Sequence, residues 1–267
     1  MNTKSSATLR FLESHGVFTR DEFMARVDPT VSERTRYNNL RNATKRGQAQ
    51  RIARGLYVSN IGVFRDAVPA PLLVAAKAAP DAVLAYHSAL EAHGVAHTPA
   101  RTVTFLSSRQ VTPFTARGYR FRRVPDRAAR AGAPGLLTTQ VRVGNVLVPV
   151  TSRERTLVDC LHRLDLAGGL EELLRSLGSF TTVSSADVCA YVRALGSPTL
   201  AARAGWIMSL MTDDWRPDPE PLLQMRGALG RGTYWLQRRR ADARYEFVAA
   251  WRLYVPAGLP FRDWLRG

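Results

Sequence analysis

Gly47-Gln48-Ala49-Gln50-Arg51-Ile52-Ala53-Arg54-Gly55-Leu56-Tyr57-Val58 is the stretch that decides the fold of the N-terminal part of this chain. Gln50-Arg51-Ile52 and Leu56-Tyr57-Val58 alternate polar and apolar residues at strand period, around the tight glycine turn Ala53-Arg54-Gly55. A small basic hairpin placed after three short helical patterns is the layout of a winged helix-turn-helix.

Upstream of the hairpin, Ala7, Leu9, Phe11 and Leu12, with Val17 and Phe18 after Gly16, predict a first helix that stops at the glycine. Thr19 stands three residues before Glu22 and ahead of Phe23 and Met24, a capping box that opens a second short helix. Asp28-Pro29-Thr30 breaks that helix. Ser32 then caps a third, which reaches about Arg46 and is closed by Gly47. Arg34, Thr35, Arg36, Asn38 and Asn39 fall near the start of this third helix, with Leu40 inward. Arginine, threonine and asparagine at that end of a recognition helix are types that hydrogen-bond base edges in the major groove. Arg41, Lys45 and Arg46 lie further along and suit phosphate, while Arg51 and Arg54 on the wing suit the backbone or the minor groove.

The 267 residues carry a formal net charge of +16, which favours a polyanionic partner, either nucleic acid or an acidic protein surface. Only Lys4, Lys45 and Lys77 are lysines; the other basic side chains are arginine, a bias that a GC-rich genome also produces. Two cysteines, Cys160 and Cys189, make no disulfide framework and point to a reducing compartment. Met1-Asn2-Thr3-Lys4-Ser5-Ser6 leads into a charged amphipathic segment instead of an apolar signal core. The longest apolar run, Ala67 to Ala79, is interrupted by Pro69, Pro71 and Lys77. The expectation is a cytoplasmic protein without a membrane span.

Length predicts two domains: residues 1–60, a winged helix; 61–80, a connecting helix or linker; and 81–267, a larger α+β domain. In the last, Leu84 to Glu91 reads as a helix ended by Gly94, and Val103 to Leu106 as a strand. Tyr119 to Val124 alternates aromatic and basic residues at strand period, and Gln140 to Val150 is a hairpin about Gly144-Asn145. Thr151 and Glu154 make a second capping box. Gly169 to Leu177 is an amphipathic helix, Ser184 caps another, and Ser197-Pro198 starts the next by placing proline at its first position. Gly232 to Leu236 and Trp251 to Pro256 are strand-like.

His87, His93 and His97 are close in sequence, but Gly94 interrupts the helical face that paired zinc ligands need, and Cys160 and His162 lack a partner pair. No Glu-x-Lys of a divalent-ion nuclease and no Gly-x-Ser-x-Gly nucleophile turn occurs, and Gly227 to Gly232 lacks the Lys-Ser/Thr end of a phosphate loop. These residues predict no metal, no cofactor and no catalysis. Arg120, Arg122 and Arg123, and Arg238, Arg239 and Arg240, form further basic groups, which are solvated faces, extensions of a DNA surface, or contacts for an acidic protein.

The order of several segments resembles the AbiEi antitoxins of type IV toxin–antitoxin systems, a family linked to phage defence. They are Lys45-Arg46-Gly47 with Arg54 to Val58, Tyr86 to Gly94, Thr151 to Cys160, Ala167 to Glu172, and Leu195 to Trp206. The resemblance covers most of the chain and implies a non-enzymatic, bifunctional protein. Its N-terminal domain would bind inverted repeats in double-stranded promoter DNA and repress its own operon; the oligomeric state stays open, a monomer in solution included, because inverted repeats can recruit two monomers. Its C-terminal domain would counteract a nucleotidyltransferase-like toxin, directly or indirectly. The alternative is a nuclease-like DNA-processing enzyme targeted by the winged helix.

Overall fold

The computed structural model describes residues 3–266, with side chains from Ala7. Met1, Asn2 and Gly267 lie outside the described residues, so the reading of the extreme N-terminus rests on sequence.

The first unit runs α1 (Thr3–Ser14), β1 (Val17–Thr19), α2 (Arg20–Arg26), α3 (Glu33–Lys45), β2 (Ala49–Ala53) and β3 (Leu56–Ser59). Thr19 and Glu22 form the reciprocal capping box of α2, and the Ser32 hydroxyl accepts the Thr35 N–H at the start of α3. Gly47 at φ +71° and Gly55 at φ +72° take the left-handed turns that end α3 and join β2 to β3. Val17 and Phe18 do not trail from the first helix. They begin a third strand, and the sheet order is β1-β3-β2, all antiparallel. One face of this sheet, with Phe18 and Ala49, packs on Phe11, Leu12, Phe23 and Leu40 of the three helices. The other face carries Val17, Leu56 and Val58 and shares a core with α4 and the six-stranded sheet of the C-terminal part.

A 3-10 turn at Gly62–Phe64 leads to α4 (Pro71–Ala76), so the connecting segment holds a short helix whose Val74 and Ala75 are buried. Next come β4 (Val83–Leu84), α5 (His87–Ala92), β5 (Thr102–Leu106), β6 (Phe114–Ala116), β7 (Tyr119–Val124), α6 (Arg127–Arg130), β8 (Thr138–Val143) and β9 (Val146–Thr151). They build a six-stranded mixed sheet in the order β6-β7-β5-β4-β9-β8, with β7 parallel to β5 and β4 parallel to β9. Leu84 belongs to β4 and not to the helix expected from Leu84 to Glu91. The short strand fills the gap between β5 and β9, and the helix begins three residues later.

Six helices then run in succession: α7 (Arg153–His162), α8 (Leu170–Gly178), α9 (Ser185–Ala194), α10 (Pro198–Leu210), α11 (Thr212–Trp215) and α12 (Pro219–Gly227). The cap of α7 is Ser152, not Thr151, which stays in β9; the Ser152 hydroxyl accepts the Arg155 N–H. Finally β10 (Tyr234–Trp235), β11 (Tyr245–Val248) and β12 (Leu253–Pro256) form a second small sheet, and α13 (Phe261–Arg266) packs on α8. The class is mixed α+β.

Strand alternation sorts the six-stranded sheet into two faces. Val103, Phe105, Phe121, Val148 and Val150 point toward α4 and the N-terminal sheet. Leu106 and Val124 point the other way, into the core formed with α7, α8, α9 and α10. The chain is therefore layered: α1 to α3, the three-stranded sheet, the six-stranded sheet, then the C-terminal helices. No helix among the described residues is long and apolar enough to cross a membrane.

Candidate nucleic-acid interface

Helix α3 buries Leu40 and Ala43 against α1 and α2. Arg34, Tyr37, Asn38, Arg41 and Lys45 are exposed at helical spacing on its outer side, with Asn42 exposed beside them. Tyr37 is half exposed, at 50%, although the inner-face count of a 3.6-residue period does not single it out. Thr35 and Asn39 are partly buried, and the Thr35 hydroxyl lies 2.9 Å from that of Ser32 at the cap.

Arg36 departs from its expected role. Its Nη1 donates to the carbonyls of Asp28 (3.3 Å) and Val31 (3.0 Å), so the side chain closes the turn before α3 and does not reach outward. The reason lies in the loop: Asp28 takes φ 41° and turns its carbonyl into reach of the guanidinium.

Arg51 sits opposite Tyr57 in the hairpin register, and Tyr57 faces the helices. Arg51 therefore lies on the same side of the hairpin as α3, and its Nε donates to the Ala53 carbonyl at 3.2 Å. Arg54 is exposed in the turn, while Arg46 is exposed where α3 ends. Gln50, one residue from Arg51, points the opposite way and accepts a bond from Arg117 Nη2 at 3.2 Å in the β6–β7 turn. The turn end of the hairpin is also anchored, because the Arg20 N–H donates to the Gly55 carbonyl at 2.8 Å. On the far side of α2, Lys77 pairs with Glu22 at 2.5 Å, which ties the capping box to the segment after α4. The Glu22 carboxyl lies below its ordinary pKa. Burial works against the charge, and the hydrogen bonds from Lys77 and the Thr19 N–H outweigh it.

The later basic groups fall in different places. Arg120 and Arg122 are exposed on the C-terminal-helix side of the six-stranded sheet, whereas Arg123 points to the opposite face and donates to the Ser107 carbonyl at 2.9 Å. Arg238, Arg239 and Arg240 lie between β10 and β11. Arg239 stacks over Trp235 at 5.6 Å, and Arg240 pairs with Asp242 at 2.8 Å.

The histidines also separate. His87 is buried with Nε2 3.2 Å from Glu172, His93 Nε2 meets the Thr151 carbonyl at 2.8 Å, and the His97 backbone N–H donates to Glu172 at 3.0 Å. Cys160 is buried in the core and His162 is exposed. Among the described residues, no three His, Cys, Asp or Glu side chains are placed to hold a metal ion.

No family model and no curated protein matches the chain. A solved structure, the RV2827C protein from Mycobacterium tuberculosis, is similar across 95% of this chain and 92% of its own, with a TM-score of 0.64 and 14% identity. At that identity the likeness concerns the fold.

Proposed function

We propose that residues 3–59 are a winged helix that binds double-stranded DNA, and that the protein is a cytoplasmic repressor of its own operon with antitoxin activity. The observation that carries the DNA reading is the outer side of α3. It presents Arg34, Tyr37, Asn38, Arg41 and Lys45 as exposed side chains, and Arg51 stands on the same side of the adjoining hairpin. A helix N-terminus bearing arginine and asparagine enters a major groove and reads base edges there, while the wing arginines meet the flanking backbone. Inverted repeats would place two such chains about one helical turn apart.

The antitoxin half of the reading rests on the resemblance of the ordered segments to the AbiEi family. It assigns residues 81–267 to countering a nucleotidyltransferase-like toxin.

Two experiments test the halves separately. Mobility shifts on the gene's own promoter fragment should show salt-sensitive binding that the triple change Arg34→Ala, Asn38→Ala, Arg41→Ala removes; unchanged shifts would sink the α3 assignment. Co-expression with a neighbouring nucleotidyltransferase-like gene should restore growth, and continued growth arrest would sink the antitoxin half. Magnesium-dependent DNA cleavage abolished by one acidic substitution would replace both with an enzyme.

A further inference from the structure

The face of the six-stranded sheet turned away from the N-terminal unit holds a basic groove made of two neighbouring cavities. The first, of about 330 Å³, has β5 and β7 as its floor, where Thr102 pairs with Arg120 and Thr104 with Arg122 in parallel register. Its walls include His87 of α5, Thr98, Arg101 and the Asp165 to Gly168 turn. The second, of about 520 Å³, is lined by Tyr86, Val124, Arg127, Arg130, His162 and Arg163. The two adjoin because Tyr86 and His87, Arg122 and Val124, and Arg163 and Asp165 each divide between them. Both volumes lie in the range of small-ligand sites.

The charge in this groove is mostly unspent. None of Arg101, Arg120, Arg122, Arg127 and Arg130 has a carboxylate within 4.0 Å among the described residues. Arg127 Nη1 is buried without a hydrogen-bond partner among the described residues, whereas His87, only 5% exposed, stands between two carboxylates, with Nε2 3.2 Å from Glu172 and Nδ1 3.7 Å from Glu91. Among the described residues, Asp165 is the one carboxylate lining either cavity, and Arg163 holds it through Nε and Nη2 at 2.7 and 2.6 Å. At the mouth, partial burial and the charges of Arg127, Arg203 and Arg163 hold His162 at about 4, well below an ordinary histidine. The junction itself is strained: Tyr86 adopts φ 56°, ψ −134°, a sparsely populated region for a non-glycine residue. Gly168 is equally constrained, since a Cβ there would fall 2.6 Å from the Glu172 side chain and 3.3 Å from His87.

We propose that this groove binds a compact polyphosphate, the di- or triphosphate of a nucleotide being the fitting class. Arginine forks match phosphate oxygens two at a time, and two cationic cavities in series suit a chain of linked phosphates. A single-stranded polynucleotide would also want exposed aromatic platforms for its bases. The groove has none, because its lining tyrosine, Tyr86, is buried. Duplex DNA held by α3 and the hairpin lies beyond both sheets, so the groove is independent of the DNA reading.

The test is calorimetric titration of the full chain with tripolyphosphate, ADP, ATP and a ten-nucleotide single-stranded RNA. The expected result is saturable binding of ATP or tripolyphosphate, weakened at least tenfold in Arg120→Ala/Arg122→Ala. The control Arg142→Ala/Arg193→Ala, which removes equal charge elsewhere, should bind as the parent does. Equal affinity for tripolyphosphate and ATP assigns the energy to the phosphates, and preference for ATP adds a nucleoside contact; both support the site. The proposal is overturned by any of three results: no saturable binding at millimolar ligand, equal weakening in the control, or binding of the RNA alone. Circular dichroism of the variants, all of whose changed residues are exposed, checks that folding is intact.

Discussion

Glu172 sits almost fully inside the protein, 8% exposed, because donors surround it. Its Oε1 accepts from the His97 and Thr98 backbone N–H groups and the Ser176 hydroxyl, and Oε2 accepts the Thr98 hydroxyl at 2.7 Å. Burial works to raise the carboxyl pKa, but the Thr98 and Ser176 bonds and the charge of His87 prevail and lower it. A lowered folded-state value means the group stabilises the fold when ionised. That contribution is complete above the ordinary value of 4.5 and is lost as pH falls through the folded-state value. Thermal melts from about pH 6 to about pH 3 should therefore fall more steeply in the parent than in Glu172→Gln. At neutral pH the variant should be less stable by roughly 1–3 kcal/mol, since an amide nitrogen would meet donors. Parallel pH profiles would refute the assignment. For the proposed DNA binding, the same scale separates reading from gripping. Asn38→Ala should relax sequence preference. Arg51→Ala with Arg54→Ala should instead weaken all sequences alike and reduce the salt slope by roughly 2. Competition shifts at several salt concentrations distinguish the two patterns.

Among the elements, α10 gives the sharpest expectation. A side chain at Gly205 would run into the Trp251 ring, which is 1% exposed and whose Nε1 donates to Ser209 Oγ at 2.9 Å. Alanine raises helix propensity by about 1 kcal/mol, yet overpacking a closed core costs about 1–3 kcal/mol. Gly205→Ala should lower the melting temperature and shift tryptophan emission; a raised melting temperature would mean the ring moves aside freely. Long or capped elements were legible from sequence. The Thr19–Glu22 box, the Ser32 cap, the Gly55 turn, the hairpin at Gly144 and the proline at the start of α10 all stand where residue chemistry puts them. The short strands were not. Three residues at Val17–Thr19 and two at Val83–Leu84 are too few to display a period, and they are strands because partners at Val58 and Val150 are waiting.

The whole molecule is tied together by the apolar face of Val17, Leu56 and Val58, continuous with α4 and the six-stranded sheet. All five tryptophans, Trp206, Trp215, Trp235, Trp251 and Trp264, lie in the C-terminal part, so their fluorescence reports unfolding there. Leu56→Ala should lower stability by about 2–5 kcal/mol. If both units unfold as one, tryptophan fluorescence and far-ultraviolet circular dichroism should show the same shifted denaturation midpoint. A fluorescence midpoint that stays in place would mean the units unfold separately.

Taken alone, the sequence determined what depends on near neighbours: helix caps, glycine turns, strand alternation, the mixed α+β class and the strong positive charge. Tertiary structure decided which charges remain available. Arg36, in the middle of the expected reading surface, is spent on two loop carbonyls, while Arg34, Asn38 and Arg41 stay outward. Arg120, Arg122 and Arg123 are neighbours in sequence but stand on opposite faces of a sheet. The reason is physical. Alternation tells which residues share a face, but only long-range pairing, such as β5 beside β7 and β4 beside β9, decides what each face meets.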